Sequence, residues 1–186
     1  MTATPLDGGF ADPPRDAALA FRAVLDAMAR PGTTARLASA HGPAPLSPAA
    51  AAVLLTLVDR TTPLHLAGAH DCKDVRQWVA FHCGAPLVAA GDADFALGTW
   101  ASLVPVDRFA IGTPEYPDRS ATLIVDDPAL GTPVTLSGPG IDGTAAAHLP
   151  DPAVFAARAT RFPLGWDAIL TRGESVTAIP RSTQVR

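Results

Sequence analysis

A mixed α/β sandwich is the fold class that this sequence predicts, and three observations predict it. Up to Cys83 the apolar residues recur mainly at helical spacing. Beyond residue 87 the texture changes to short apolar runs separated by turns. One of those runs, Ser120-Ala121-Thr122-Leu123-Ile124-Val125, does not alternate cleanly, which suits a strand covered on both faces. Nineteen prolines and fifteen glycines act as punctuation, with no internal repeat and no low-complexity linker. A single domain over residues 1–186 is expected, with residues 1–9 as a loose N-terminal segment.

The first helix is read from Asp12-Pro13-Pro14 to Arg30, with Ala17, Ala18, Phe21, Val24, Leu25 and Met28 on one stripe. Asp12 is a candidate cap, and Pro31-Gly32 ends the helix. A short extended piece, Thr33 to Leu37, follows. Ser47-Pro48 opens a second helix that runs to about Asp59 and buries Val53, Leu54, Leu57 and Val58. After a brief strand at Leu64-His65-Leu66 comes a third helix, Asp74 to Cys83, whose inner face is Val75, Trp78, Val79 and His82. Gly84 and Pro86 stop it. Strands are expected at Phe95 to Thr99, Ala121 to Asp126, Val134 to Ser137, Ile169-Leu170 and Val176 to Ile179. One more helix, Pro152 to Ala159, is capped by Asp151.

Composition excludes several roles. The formal net charge is −4, and the basic residues are thirteen arginines and one lysine, Lys73. No basic stripe suggests a nucleic-acid partner. The longest apolar run, Ala49 to Val58, is half a membrane span and contains a threonine, so no membrane role is expected. Two cysteines do not make a secreted disulfide framework, and the chain opens without a basic start or apolar run, so the cytoplasm is the expected compartment. Charged residues make up only 17%, which points to surface covered by another subunit. Trp100, Tyr116 and Trp166 are the first candidates for such an interface.

Eight blocks then carry a family likeness. Phe10 to Pro13, Phe21 to Gly32, Thr56 to Asp59, Phe81 to Pro86, Arg119 to Leu123, Leu136 to Ile141, Phe162 to Gly165 and Ile179 to Thr183 resemble, in order, the blocks of the PhnH family. That resemblance implies a three-layer α/β sandwich with a mixed sheet, like the large domain of pyridoxal-phosphate-dependent transferases but without the cofactor. It implies a homodimer within the bacterial carbon–phosphorus lyase complex of phosphonate degradation. There the subunit is required, with its partners, for forming ribose 1-methylphosphonate 5-triphosphate from ATP and methylphosphonate. No residue of this chain inherits a catalytic role from it.

Lys73 bears on the missing cofactor. A pyridoxal-phosphate enzyme holds its cofactor through a buried lysine imine, whereas Lys73 is flanked by Asp71 and Asp74 at the start of a helix, a setting that favours solvent.

Metal binding by His70, Cys72, His82 and Cys83 is not expected. A helix between the two pairs separates them by roughly 15 Å, and the same length forbids a Cys72–Cys83 disulfide. His82 is read as a core histidine, Cys83 as a small buried hydrophobe and His70 as a loop residue. No GxSxG elbow and no nucleotide-binding glycine pattern is present. Arg119-Ser120, Arg181-Ser182 and the turn Ser137-Gly138-Pro139-Gly140 are the candidate anion contacts, because guanidinium and free backbone N–H groups both hold phosphate. Arg119, Ser120, Ser137, Gly138, Gly140 and Arg181 are therefore the expected ligand residues, for a nucleotide or a phosphonate. A stand-alone phosphonate- or nucleotide-binding transferase and a nucleotide-sensing module stay open as alternatives.

Overall fold

The computed structural model describes residues 7–127, 129 and 131–186. In chain order the first elements are β1 (Gly9–Phe10), α1 (Pro13–Ala29), β2 (Ala35–Arg36), β3 (Ala40–His41), α2 (Pro48–Leu57), β4 (Leu64–Leu66) and α3 (Lys73–His82). There follow β5 (Phe95–Gly98), α4 (Trp100–Leu103), β6 (Thr122–Asp126), β7 (Thr132–Ser137) and β8 (Ala145–Leu149). The chain closes with α5 (Pro152–Ala159), β9 (Asp167–Arg172), β10 (Ser175–Ile179) and β11 (Gln184–Val185).

A six-stranded mixed sheet, ordered β2-β10-β9-β6-β5-β4, forms the centre. Strands β4, β5, β6 and β9 run parallel, while β10 and β2 add antiparallel neighbours at one edge. Along β6 successive side chains point to opposite faces, and Leu123, Ile124 and Val125 are all buried because both faces are covered. On one face Ile124, Ile169 and Val176 meet α1, α2 and α3 through Val24, Ala49 to Leu54, Val75 and Trp78. On the other, Leu123, Val125, Ala168 and Ile179 meet Leu136, Leu149, Phe155 and Trp166. That second cover is a three-stranded antiparallel sheet, β11-β7-β8, with α4 and α5 beside it.

Capping chemistry explains the helix starts. The Ser47 hydroxyl accepts the Ala50 amide at 3.1 Å, and the Asp151 carboxylate accepts the Val154 amide at 3.2 Å. Asp12 does not cap with its side chain; the Asp16 carboxylate instead accepts the Asp12 amide at 3.0 Å. At the end of α3 the chain turns through Gly84, whose φ of +67° is easy only for glycine.

Two helices pack differently from their sequence pattern. In α1 the inward residues are Ala20, Ala23, Val24, Ala27 and Met28, while Phe21 and Leu25, expected inside, are more than half exposed. Small residues win the inner side because α1 lies close against α2 and β10. Helix α2 is buried all round over Ala49 to Leu54 rather than along one stripe, and its alanines let neighbouring backbones approach. Strands β1, β3, β8 and β11 and helix α4 were not legible as elements. Of the segment 1–9, residues 1–6 lie outside the described residues, and Gly9 pairs with His41.

Trp100 and Trp166 are core, not interface. With Phe155 they form an aromatic cluster whose ring centroids lie 5.1 to 6.1 Å apart. Tyr116 is half exposed. No helix among the described residues is long and apolar enough to cross a membrane.

Candidate functional site

The expected anion contacts do not gather at one point. Gly140 and Arg181 line a shared cleft of about 550 Å³ with Met28, Pro117, Phe162 and Asp167. The Arg181 guanidinium donates to both Asp167 oxygens, at 2.5 Å from Nη2 and 3.3 Å from Nε, and to the Pro117 carbonyl. Both side chains are largely buried, at 17% and 14% exposure, so this charge is already matched. Arg119 points elsewhere, its guanidinium 4.0 Å from the centre of the Tyr116 ring instead of paired with Glu115 or Asp118. Ser120 Oγ is buried and has no hydrogen-bond partner among the described residues. Ser137 pairs with Gln184 in the β7–β11 ladder. Gly138 and Gly140 have φ of +122° and +81°, and a side chain on Gly140 would strike the Ala29 carbonyl. Close packing of backbone, with or without a ligand, requires that glycine.

Arg158, which sequence reasoning passed over, braces the same region. It is 4% exposed and donates to the carbonyls of Trp166, Ile179 and Pro180 at 3.0 to 3.1 Å, with its plane over Phe155 and Trp166. Burial pushes its guanidinium down to about 10; the Asp167 charge opposes that loss and the Arg181 charge adds to it. Arginine inside an apparently ordinary Ala-Arg-Ala helix gives no local sign of burial.

A second buried polar group sits on the helix-covered face. His70, expected in a loop, is 2% exposed in a 3-10 turn, and its Nε2 lies 3.1 Å from Asp126 Oδ2. The same carboxylate accepts the Ser47 amide at 2.9 Å and the Thr171 hydroxyl at 3.0 Å. Burial alone would raise the Asp126 carboxyl; hydrogen bonds from His70, Ser47 and Thr171 outweigh it and hold the group below its ordinary value. One carboxylate thereby ties together β6, β9, the start of α2 and the turn before α3. An aspartate closing an otherwise apolar strand was the one available signal.

The remaining soft ligands stay apart. Cys72 and Cys83 are free thiols flanking opposite ends of α3, and burial pushes Cys83 up to about 12. His82 packs its ring on Trp78 and Phe81. Lys73 is exposed at the first position of α3, with no lysine elsewhere in the chain to form a buried imine.

Comparison with known proteins places the chain. Residues 8–186 match the family model described as bacterial phosphonate metabolism protein, PhnH. The chain belongs to the PhnH family. A curated member, the alpha-D-ribose 1-methylphosphonate 5-triphosphate synthase subunit PhnH of Rhizobium meliloti (strain 1021), is 44% identical over 96% of this chain and 94% of that protein. A more distant relative from Stutzerimonas stutzeri, named as a C-P lyase subunit protein, HtxG, is 29% identical over 89% of this chain and 84% of its own length. Both alignments span nearly the whole fold, so both faces of the sheet belong to the shared unit.

Proposed function

We propose that this protein is a subunit of the assembly that makes ribose 1-methylphosphonate 5-triphosphate from ATP and methylphosphonate in bacterial phosphonate breakdown. It works with the other carbon–phosphorus lyase subunits, as a homodimer in the cytoplasm. The observation that carries this is the 44% identity to a PhnH subunit across almost the full length of both chains. Unpartnered apolar side chains support the partner role: Leu19, Phe21 and Leu25 on α1 and Phe162 beside the Arg181 cleft are each at least half exposed. The order of layers, helices against a mixed sheet with parallel strands at its centre, is compatible with the large domain of pyridoxal-phosphate transferases. Exposed Lys73 is badly placed for that cofactor's imine.

Within this reading, Arg181 and Gly140 shape the cleft near α1 more than they capture an anion, since Asp167 already meets the arginine charge. The test is reconstitution: the purified chain with ATP and methylphosphonate should give no product alone, and omission from the full set of partner subunits should abolish synthesis. Turnover by the chain alone would replace this reading with the stand-alone transferase. Arg119→Gln and Arg181→Gln variants that support normal phosphonate-dependent growth would remove both arginines from ligand binding.

A further inference from the structure

A second opening lies where strands of a parallel sheet commonly present ligands, outside their carboxyl ends. Between the ends of β6 and β9 and the facing strand β8 is a cavity of about 200 Å³. That is below the roughly 300–1,000 Å³ of pockets for drug-sized ligands, so its occupant is small. Arg172 reaches it from β9 and His148 from β8. Neither side chain makes a hydrogen bond or ion pair among the described residues. Two neighbouring acids are committed elsewhere: Glu174 pairs with Arg36 at 2.7 Å, and Asp126 with His70. Hydroxyl groups of Thr34, Ser175 and Thr177 add donors to the wall, with Thr34 and Thr177 Oγ1 3.1 Å apart. Asp127 also lines the wall; its Oδ1 accepts the Ala129 amide at 3.0 Å while Oδ2 has no partner among the described residues.

We infer that this cavity binds a small tetrahedral phosphorus oxyanion, a phosphate or phosphonate group. Arg172 and His148 take the charged oxygens and the hydroxyls complete the donor set. Asp127 supplies selectivity. A carboxylate repels a fully ionised anion such as sulfate, but it accepts a hydrogen bond from a P–OH group, which phosphate and phosphonate, with a second ionisation at or above about pH 6, still carry near that pH. An arginine, an imidazole and an unfilled carboxylate oxygen around one small space match that singly protonated species. The inference concerns the isolated chain and does not depend on its place in an assembly.

Calorimetric titration of the full chain near pH 6, with inorganic phosphate, methylphosphonate and sulfate in turn, tests it. Both phosphorus anions should bind and sulfate should not. Whichever of the two binds more tightly identifies the source as phosphate or phosphonate, and either order supports the site. Arg172→Gln should weaken binding at least tenfold with unchanged thermal unfolding, because the side chain is exposed. Asp127→Asn should admit sulfate. Arg76→Gln, whose wild-type side chain pairs with Asp71 at the start of α3, is the control and should bind normally. No binding of either phosphorus anion at millimolar concentration, full affinity in Arg172→Gln, or equal loss in Arg76→Gln would overturn the assignment.

Discussion

The two faces of the central sheet are closed by different means. The helix-covered face is filled by alanines, aliphatic side chains and Trp78, and neither cleft described above is lined by α2 or α3. The opposite face is covered by a short three-stranded sheet and an aromatic cluster, and the cavity at Arg172 and a groove at Trp100, Arg158 and Trp166 border that side. Small residues allow helices to lie flat on strands without voids. A strand cover with large rings leaves gaps at its rim. The closed face therefore serves stability, and the open face offers binding surface.

Four substitutions test that contrast, beginning with the closed face. Asp126→Ala should cost about 3–5 kcal/mol in chemical denaturation, because it strips a buried imidazole, an amide and a hydroxyl of their shared acceptor. The same carboxyl gives a pH signature. Held below its unfolded value of 3.8, it stabilises the fold above that pH, and the contribution is lost as pH falls through the lowered folded value. Asp126→Asn should lack this acid component of unfolding; an unchanged acid profile would contradict the role given to the carboxylate. Next, Ala51→Leu in α2 should cost about 1–3 kcal/mol through overpacking, whereas Ala146→Leu at the open cavity should stay within about 0.5 kcal/mol. Equal costs in thermal melts would erase the difference between the faces.

Arg181→Gln should cost about 1–3 kcal/mol, since it leaves Asp167 and the Pro117 carbonyl without their donor. Arg119→Ala, which loses only an exposed contact with Tyr116, should cost about 0.5–1 kcal/mol. A reversed order in urea titrations would mean that the Arg181 pair is not structural.

Much of the architecture was legible locally. Ser47 and Asp151 announce α2 and α5 by capping chemistry that needs only three neighbouring residues, and Pro152 to Ala159 matches the helix boundaries. Strand β6 is legible because an apolar run without alternation requires two covers. The inner side of α1 was not. Its sequence offers both a stripe of large side chains and a stripe of small ones, and the close approach of α2 chooses the small. Strand β8 reads Ala-Ala-Ala-His-Leu, with no β-branched residue, and it exists because β7 pairs with it from Thr132 to Leu136. Family blocks around Arg119, Ser137 and Arg181 marked segments that do lie in the fold's second layer or its rim. They did not reveal that Asp167 neutralises one arginine and Tyr116 engages the other.

The sequence by itself determined the α/β class, most helices, the positions of the core strands and the family, since caps, periodicity and ordered blocks are properties of neighbouring residues. It also placed Lys73 in solvent. Tertiary structure alone decided that Asp126 meets His70 and that Arg158 is buried under two aromatic rings. It also brought Arg172 and His148, from separate sheets, to one cavity. Those outcomes depend on residues far apart in the chain: Arg158 bonds to Trp166 8 residues away, and His70 to Asp126 56 residues away. Charge and hydrogen-bond satisfaction at such range follow from how the layers stack, which no local pattern encodes.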